Sequence, residues 1–500
     1  MEVVAQSASL FKTVDRAWRD RLLIIGFLAL ASLFLFLDAR TTPVILWDES
    51  RNVVNALEMR RSGPGLVTTY GFAPDLWNTK PPLLIWLMTG SMALFGPSEW
   101  AMRLPSALAG LGTLLILILF VRRVTGSIAT ALIAATILLL SPGFFGEHGA
   151  RTADYDAVLL FFVTAALQLL FFAVHRARPA TRELIAIGAL IGAAAMTKSI
   201  AGFIPCVGPL LYLLAHRRMG RVVHNWRNYL PAVLAALVPL FAYYAAREAA
   251  APGYLAAVLH NDMGGRFSQS LIGKTTSGWF YTELLIGWFL AGPLLLLVPL
   301  ALRDLQGKSR TLMMWSLYTA ISVVIIYSFS STRLVHYALP AFPPLSIIAA
   351  LTLRGLHERF VAVPFRAGNK AKAGLIAAAG LLAILPLGVR ALHWRYEAFP
   401  ARQFDPQASY GALFAQLHAG GVRQVSVLDP GFSLEGAPGY TPLLHAYRLI
   451  WSESGLVIDH RLRARGRFAR VVASCEPVVA RQLARVGETL LDAHGCRAIH

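Results

Sequence analysis

Two adjacent carboxylates, Asp48 and Glu49, directly follow the first long apolar segment of the chain, in the stretch ILWDESRNVVNALEMRRSG at residues 45–63. A carboxylate at a membrane boundary is costly unless it is paired, hydrated or functional. Such a group can act as a general base that takes the proton of an attacking hydroxyl. An acid in this place can also cap a helix and interact favourably with its dipole. The residues by themselves leave both interpretations of Asp48 open.

A second acidic cluster lies in GEHGARTADYDAVLLFF at residues 146–162, where Asp154 and Asp156 come just before a new apolar run. Here too, a cap for the following helix, for which Asp156 is the candidate, is the structural alternative to a functional carboxylate.

Cations accompany these acids beside or within apolar stretches. They are Arg51, Lys80, Lys198, Arg266 and Arg333, the last of which is followed by His336 and Tyr337. A single cation of this kind is by default an anchor at the membrane surface. Several cations near carboxylates instead predict a site that binds an anion, such as a lipid phosphate, next to a base.

Other chemistries have less support in the sequence. It contains no dinucleotide-binding glycine loop, no phosphate-binding P-loop, no HExxH motif and no GxSxG elbow. A divalent metal is possible, although the spacing of its candidate ligands has no metal signature. Those ligands are Asp48, Glu49, Asp156 and His260.

The whole chain has the composition of a membrane protein. Of its 500 residues, 56% are hydrophobic and only 15% are charged, whereas soluble domains carry about 25% charged residues. Apolar blocks such as RLLIIGFLALASLFLFLDA are long enough to cross a bilayer. The net charge of +19 is spread over short loops between these blocks, as the positive-inside rule predicts, so it does not indicate nucleic-acid binding.

Placing the basic loops in the cytoplasm predicts a mainly α-helical, polytopic bundle of about eleven spans. Residues 81–96 are left out, because at 1.5 Å per residue they reach only about 24 Å and better fit an interfacial helix. The first helix has no cleavage site and is expected to be retained. The spans are expected near residues 21–38, 103–121, 127–145, 156–174, 184–198, 200–215, 229–247, 279–301, 311–329, 334–353 and 373–392.

This topology puts the acidic clusters and the cations on one face, the external side of the membrane. Residues 39–102 form the first external loop, in which residues 48–62 read as an amphipathic helix on the membrane surface with a glycine stop. Residues 1–394 are expected to form the transmembrane domain.

Residues 395–500 have short, alternating apolar runs that predict a small external α/β domain. An oxidising compartment would allow Cys475 and Cys496 in this domain to form a disulfide. Cys206, within a predicted span, is expected to be a core residue.

Six motifs in chain order resemble the C-type glycosyltransferases of the inner membrane, in the branch with the lipid A aminoarabinose transferase and the protein O-mannosyltransferases. They are the DE pair, KPPLLIW, FGPSEWAMRLPSALAG, ARTADYD, MTKS and RLVHYALPAFPPL. The resemblance covers roughly residues 40–350. It implies a polyprenyl-phosphate sugar donor and a lipid or glycan acceptor on the periplasmic side of a bacterial inner membrane, where the external loops and the C-terminal domain then lie. It also implies family acids at Asp48 and Asp156 and the family lysine at Lys80. Thr79 stands where the family has an acid, which puts a metal associated with that acid in doubt.

The mechanism expected from the resemblance is a one-step inverting transfer in which Asp48 is the base. Lys80, Arg266 and Arg333 would stabilise the departing lipid phosphate, while Asp156 and Glu49 would orient hydroxyl groups. Two other functions stay open, a lipid-linked sugar flippase or transporter and a scaffold of envelope assembly. The absence of a two-halves repeat speaks against a transporter.

Overall fold

The computed structural model describes residues 2–37, 39, 42–265, 279–366, 368–393, 395, 406–434, 437–493 and 495–500. Helices dominate the described chain. In chain order they are α1 (Glu2–Phe36), α2 (Asp48–Ser62), α3 (Leu83–Phe95), α4 (Glu99–Thr125), α5 (Ile128–Leu139), α6 (Pro142–Phe145), α7 (Tyr155–His175), α8 (Thr181–Lys198), α9 (Val207–Ala215), α10 (Met219–His224), α11 (Trp226–Ala250), α12 (Tyr254–Val258), α13 (Phe280–Trp288), α14 (Val298–Asp304), α15 (Gly307–Ser328), α16 (Phe342–His357), α17 (Val363–Arg366), α18 (Lys370–His393), α19 (Tyr410–Ala419), α20 (Pro442–Ser452) and α21 (Pro477–Leu483).

Six helical segments of the described chain are long and apolar enough to cross a membrane. Each coincides with a span predicted from the sequence, so the prediction of a multi-pass membrane protein is confirmed. Helix α3 is shorter, at 13 residues. The total of about eleven spans remains a prediction. The six segments are Glu99–Thr125, Tyr155–His175, Thr181–Gly202, Trp226–Ala250, Gly307–Ser328 and Val335–Arg366.

Helices α8 and α11 approach each other closely because α8 presents glycines to its neighbour. A Cβ atom on Gly188 would lie 2.0 Å from the carbonyl oxygen of Ala232, and one on Gly192 would lie 2.7 Å from that of Ala235. Residues four apart share one helix face, and small residues there let backbones meet. This contact fixes α8, which ends at Lys198.

Helix α2 has the predicted bounds but a different environment. Ten of its fifteen residues are buried, including the polar Asn55 and Glu58, so it does not lie on a surface with one face in water. Its apolar side packs against α3, and residues of α20 join the same hydrophobic core. The prediction of an amphipathic helix with a solvent-exposed face was wrong, because local periodicity cannot reveal a covering segment some 390 residues away. Its position at the membrane surface stays a prediction.

The C-terminal part of the chain alternates strands and helices. A five-stranded sheet has the order β6-β3-β7-β9-β8, in which β3 pairs in parallel with β6 and β7, and β9 pairs antiparallel with β7 and β8. Its core, with Phe414, Val427 and Tyr447, is continuous with the core around α2 and α3. The proposed division at residue 394 stays a prediction. The strands are β1 (Thr69–Tyr70), β2 (Ala73–Pro74), β3 (Gln424–Leu428), β4 (Phe432–Leu434), β5 (Ala437–Tyr440), β6 (Val457–Arg461), β7 (Val471–Ser474), β8 (Thr489–Ala493) and β9 (Cys496–Ile499).

Candidate active site

A pocket lies where the loop before α3 meets the start of α7, the end of α8 and the segment before α16. Its cavity volume is about 50 Å³, or about 580 Å³ when all the empty space out to its open mouth is counted. Apolar residues such as Leu159 and Ile204 form part of its wall. Its polar lining includes five of the residues predicted from the sequence, namely Lys80, Asp156, Lys198, His336 and Tyr337.

Lys198 and Asp156 form a buried ion pair at the pocket. The ammonium nitrogen lies 2.7 Å from Oδ1 and 2.6 Å from Oδ2 of the carboxylate. Helix α8 stops at Lys198 because Ser199 takes a positive φ of 52°, a backbone conformation that side chains other than glycine rarely adopt. The Ser199 hydroxyl is held by a 2.6 Å hydrogen bond with the Tyr244 hydroxyl. The break therefore places the lysine at the pocket instead of continuing the helix.

Lys80 reaches the same pocket from the loop before α3. A buried network fixes that loop, because the Asn78 amide donates to Asn55 at 2.7 Å and to the Tyr155 hydroxyl at 2.9 Å. The ammonium of Lys80 lies 5.5 Å from the ring centroid of Tyr155. The neighbouring Thr79 hydroxyl donates to the Asp262 carboxylate at 2.9 Å. Two lysines from distant parts of the chain thus share one pocket.

Beside the pocket lies a second group, the His148 cluster, which we define as Asp48, His148, Asp154 and His336. Nδ1 of His148 lies 2.5 Å from the Asp154 carboxylate and 3.9 Å from that of Asp48. The rings of His148 and His336 have centroids 3.9 Å apart. Because His336 also lines the pocket, the cluster connects Asp48 with the lysines.

The two acids of this cluster differ in their tasks. Asp154 caps α7 through a 2.8 Å hydrogen bond from the Tyr155 amide, so the predicted alternative of a cap at Asp156 applies to Asp154 instead. Asp48 does not cap α2, since the N-cap position belongs to Trp47 and no side chain accepts a capping hydrogen bond there. The Asp48 side chain is 57% exposed and is open to a ligand.

The electrostatics of the cluster favour a charged histidine. Burial disfavours the imidazolium, but the carboxylates of Asp154, Asp48 and Asp156 outweigh it and raise the pKa of His148 to about 9. For Asp154, burial opposes ionisation, yet the contact with His148 lowers the pKa of its carboxyl group. At neutral pH, His148 is therefore a cation next to Asp48.

Some of these side chains could hold a metal ion. Imidazole and carboxylate ligands suit zinc or manganese. The residues fit in type, but His148 must give up the proton that its carboxylate partners stabilise before it can bind a metal. Two groups have donor atoms within 4.8 Å of one another, and they are Asp48, His148 and Asp154, and His148, Asp156 and His336.

Comparisons with known proteins address the fold. The family described as dolichyl-phosphate-mannose-protein mannosyltransferase matches residues 79–245. An undecaprenyl phosphate-alpha-4-amino-4-deoxy-L-arabinose arabinosyl transferase of Shewanella sediminis is 28% identical over 61% of this chain and 55% of its own length. A second such protein, from Pseudomonas fluorescens, is 28% identical over 69% of this chain and 58% of its own length. The chain thus spans less than two thirds of these curated relatives.

The crystal structure of ArnT from Cupriavidus metallidurans bound to undecaprenyl phosphate is similar over 95% of this chain and 97% of that one, with a TM-score of 0.67 at 19% identity. An Archaeoglobus fulgidus oligosaccharyltransferase matches 89% of this chain and 65% of its own with a TM-score of 0.51 at 14% identity. The chain has the C-type glycosyltransferase fold. The resemblance drawn from the sequence motifs is confirmed.

Within this C-type fold, Glu49 is a framework residue. Its carboxylate forms a buried double contact with the Arg103 guanidinium, at 2.7 and 2.9 Å. It also accepts hydrogen bonds from the backbone amides of Ile45 at 2.6 Å and Ala153 at 2.8 Å. These contacts tie the loops of both acidic clusters to α4. They leave little capacity for the substrate role predicted from the sequence.

Arg51 is committed elsewhere as well. Its guanidinium donates to both oxygens of Asp75, at 2.9 and 2.6 Å, and to the Tyr440 hydroxyl at 3.0 Å. It also lies over the ring of Tyr70, 4.9 Å from the centroid. Arg51 thus links α2 to its own loop and to β5, and the described lining of the pocket does not include it.

The remaining predicted residues have different positions. Arg333 precedes the pocket-lining His336, and its Nε donates to the carbonyl oxygen of Ser328 at 3.1 Å. Arg266 lies outside the described residues. Cys475 and Cys496 are joined by a disulfide bond in the structure, and Cys206 is a free, partly buried cysteine.

The sequence interpretation missed His148 and Asp262 as site residues. His148 lies in the quoted stretch GEHGARTADYD, but a single histidine in a loop gives no signal of its own. Its positive φ of 59° results from a turn that only the fold defines. Asp262 comes from a segment about 180 residues beyond Thr79, so only tertiary structure could bring the two together.

Proposed function

We propose that the protein is an inverting glycosyltransferase that moves a sugar from a polyprenyl-phosphate donor to a hydroxyl or phosphate group of an envelope acceptor, such as lipid A, a polysaccharide or a glycolipid. The names of its arabinosyl transferase relatives and the fold that it shares with an undecaprenyl-phosphate-bound structure support this assignment. A protein O-mannosyltransferase is the nearest alternative, in view of the family matched at residues 79–245.

One observation carries the proposal. Asp48 is an exposed carboxylate that caps no helix, and it lies 3.9 Å from His148. The ring of His148 contacts His336, which lines a pocket with Lys80 and Lys198. A base next to a cationic pocket is the arrangement that transfer from a lipid phosphate requires.

In the proposed reaction, the acceptor oxygen forms a bond to the anomeric carbon while the bond from that carbon to the phosphate oxygen breaks. The acceptor proton goes to Asp48, and the polyprenyl phosphate leaves with the electron pair. Attack from the face opposite the leaving group inverts the anomeric configuration. Because the donor arrives mounted on a lipid, no nucleotide-binding loop is needed.

The lysines would stabilise the departing phosphate. Its negative charge grows as the bond breaks, so fixed cations bind the transition state more strongly than the ground state. Lys80 and Lys198 both line the pocket, and Asp156 holds Lys198 in place. Arg333 and Arg266 complete the phosphate-binding group in this proposal.

The proposal includes the setting of the reaction. The chain crosses the bacterial inner membrane about eleven times, with residues 1–394 as the transmembrane domain. The pocket and residues 395–500 face the periplasm, where lipid-linked sugars and envelope acceptors meet. The common core of the C-terminal sheet and α2 supports their location on the same side.

The decisive experiment compares cells that produce the wild type, Asp48→Asn or Asp304→Asn. Asp304 is an exposed acid that pairs with Arg359 and is absent from the described pocket lining, so it provides a matched control. We expect mass spectrometry of envelope lipids and glycans to show a sugar-sized addition with the wild type and the control. Asp48→Asn should lower its amount about 100-fold or more, the typical effect of losing a general base.

Immunoblots of the membrane fraction should show equal amounts of all three proteins. An undiminished addition with Asp48→Asn would remove Asp48 as the base. If the wild type adds no sugar but changes the distribution of a lipid-linked sugar between the two leaflets, the protein is a flippase and the proposal is wrong.

A further inference from the structure

A second pocket lies in the C-terminal part of the chain, away from the candidate active site. It is formed by α21 with the turn that follows it and by the hairpin of β8 and β9. Its volume is about 500 Å³, within the range of small-ligand sites. The disulfide between Cys475 and Cys496 and the small residues Ala480, Ala484 and Gly495 line its inner wall.

Cations dominate this pocket. Three arginines and one carboxylate line it, and they are Arg481, Arg485, Arg497 and Asp492. Arg497 forms an ion pair with Asp492. Within the described part of the chain, the guanidinium groups of Arg481 and Arg485 have no acidic partner. The pocket therefore carries two positive charges without compensation.

Arg481 and Arg485 are four residues apart, on and just after α21. Arg485 lies beyond the end of the helix, but both guanidinium groups line the same pocket. Like charges near one another disfavour the charged state of each, so the arrangement has a cost in the absence of an anion. Two guanidinium groups on one wall can form parallel, bidentate hydrogen bonds to the oxygens of one phosphate. The small residues leave room for an anion to approach both of them.

We propose that this pocket binds a phosphate group, either on a lipid head group or on a soluble phosphorylated compound. An open pocket lined by a disulfide, short side chains and arginines suits a compact anion better than an extended acidic peptide, which would need a groove or a sheet edge. The proposal does not depend on the transferase function, because the described lining residues of the two pockets are entirely different.

The test is site-resolved modification of arginines by phenylglyoxal in the full-length protein, reconstituted in phosphatidylcholine nanodiscs with inorganic pyrophosphate as the probe. Peptide mass spectrometry reports the modification rate of each arginine. We expect pyrophosphate to slow modification of Arg481 and Arg485 but not of Arg463 and Arg465, which are exposed arginines outside the pocket. In Arg481→Gln, protection of Arg485 should need about tenfold more pyrophosphate, because a charge-assisted contact is lost.

Nanodiscs that contain phosphatidic acid distinguish the two sources of phosphate. Protection of Arg481 and Arg485 without added pyrophosphate would identify a lipid head group, and protection only by pyrophosphate would identify a soluble ligand. Equal rates with and without saturating pyrophosphate in both kinds of nanodisc would overturn the proposal. Equal protection of all four arginines would also overturn it, since that result indicates general ionic screening.

Discussion

Asp48 and Glu49 are neighbours in sequence and opposites in environment. The Glu49 side chain is 2% exposed and faces Arg103, whereas that of Asp48 is 57% exposed and approaches His148. Successive residues of a helix point about 100° apart, so Glu49 enters the protein framework and Asp48 faces outward beside His148. The buried carboxylate with four donors stabilises the loops, and the exposed one is left as the candidate base.

His148 gives a prediction about pH. Its pKa of about 9 is above the unfolded value of about 6.5, so it stabilises the fold fully below pH 6.5, and this contribution is lost as the pH rises towards 9. We expect the difference in melting temperature between wild type and His148→Gln, in detergent, to be largest near pH 6 and to shrink steadily up to pH 9.5.

His224→Gln is the control for this series, because His224 is an exposed histidine of α10 with no comparable carboxylate contact among the described residues. Its difference from the wild type should stay small throughout. A His148→Gln difference that does not vary between pH 6 and 9.5 would show that no charged imidazolium stabilises the cluster.

At the scale of elements, helix ends position the candidate site. Lys198 is the last residue of α8, Asp154 caps α7, and Asp48 opens α2. Residues at helix ends can change direction sharply, because the backbone leaves the helical conformation there. The geometry of the site therefore depends on how these helices pack against their neighbours. The contact of α8 with α11 is especially close, because glycines of α8 lie directly against the α11 backbone.

Gly188 tests this contact. A methyl group there would collide with the Ala232 carbonyl of α11, and overpacking of this kind costs about 1 to 3 kcal/mol. We expect Gly188→Ala to lower the thermal unfolding temperature in detergent and to lower transfer, because it displaces Lys198 at the end of the same helix.

Gly90 provides a matched control within α3. A Cβ there meets nothing within 4 Å, and replacing an unconstrained helical glycine by alanine stabilises by about 0.5 to 1 kcal/mol. Gly90→Ala should therefore leave the unfolding temperature equal or slightly raised. A Gly188→Ala protein as stable as Gly90→Ala would show that the two helices pack less tightly than the structure indicates.

At the scale of the whole molecule, helix α20 of the C-terminal part is joined to the first loop by polar as well as apolar contacts. His445 contacts the buried Glu58 carboxylate at 2.8 Å, and the Tyr447 hydroxyl accepts from the Val44 amide at 3.2 Å. Burial opposes the charge on Glu58, but the contact with His445 and further donors lower the pKa of its carboxyl group. The C-terminal part thus stabilises the position of α2, which carries Asp48.

Tyr440 connects the C-terminal part of the chain with Asp48, the candidate base. Its ring stacks on Trp47, with centroids 6.2 Å apart, and Trp47 directly precedes Asp48 with a positive φ of 76°. We expect Tyr440→Ala to lower transfer about two- to tenfold, since an aromatic pair contributes about 0.5 to 1.5 kcal/mol. The envelope sugar addition measures this effect.

Tyr440→Phe keeps the stacking and loses only the hydroxyl contact with Arg51, so it should retain most of the activity. Equal membrane levels of the two variants exclude a general folding defect. If Tyr440→Ala transfers sugar as well as the wild type, the C-terminal part does not position Asp48.

The sequence by itself determined the membrane character and the family resemblance, and it predicted that Lys80, Asp156, Lys198, His336 and Tyr337 lie on one face of the membrane. Hydropathy, loop charge and motif order report local composition, and these properties do not depend on long-range contacts. Only the tertiary structure decided that Asp48 is exposed and Glu49 buried, that His148 joins the cluster, and that residues near 440–450 cover α2. Those outcomes depend on which distant side chains meet, and contacts across hundreds of residues leave no periodic signal in the chain.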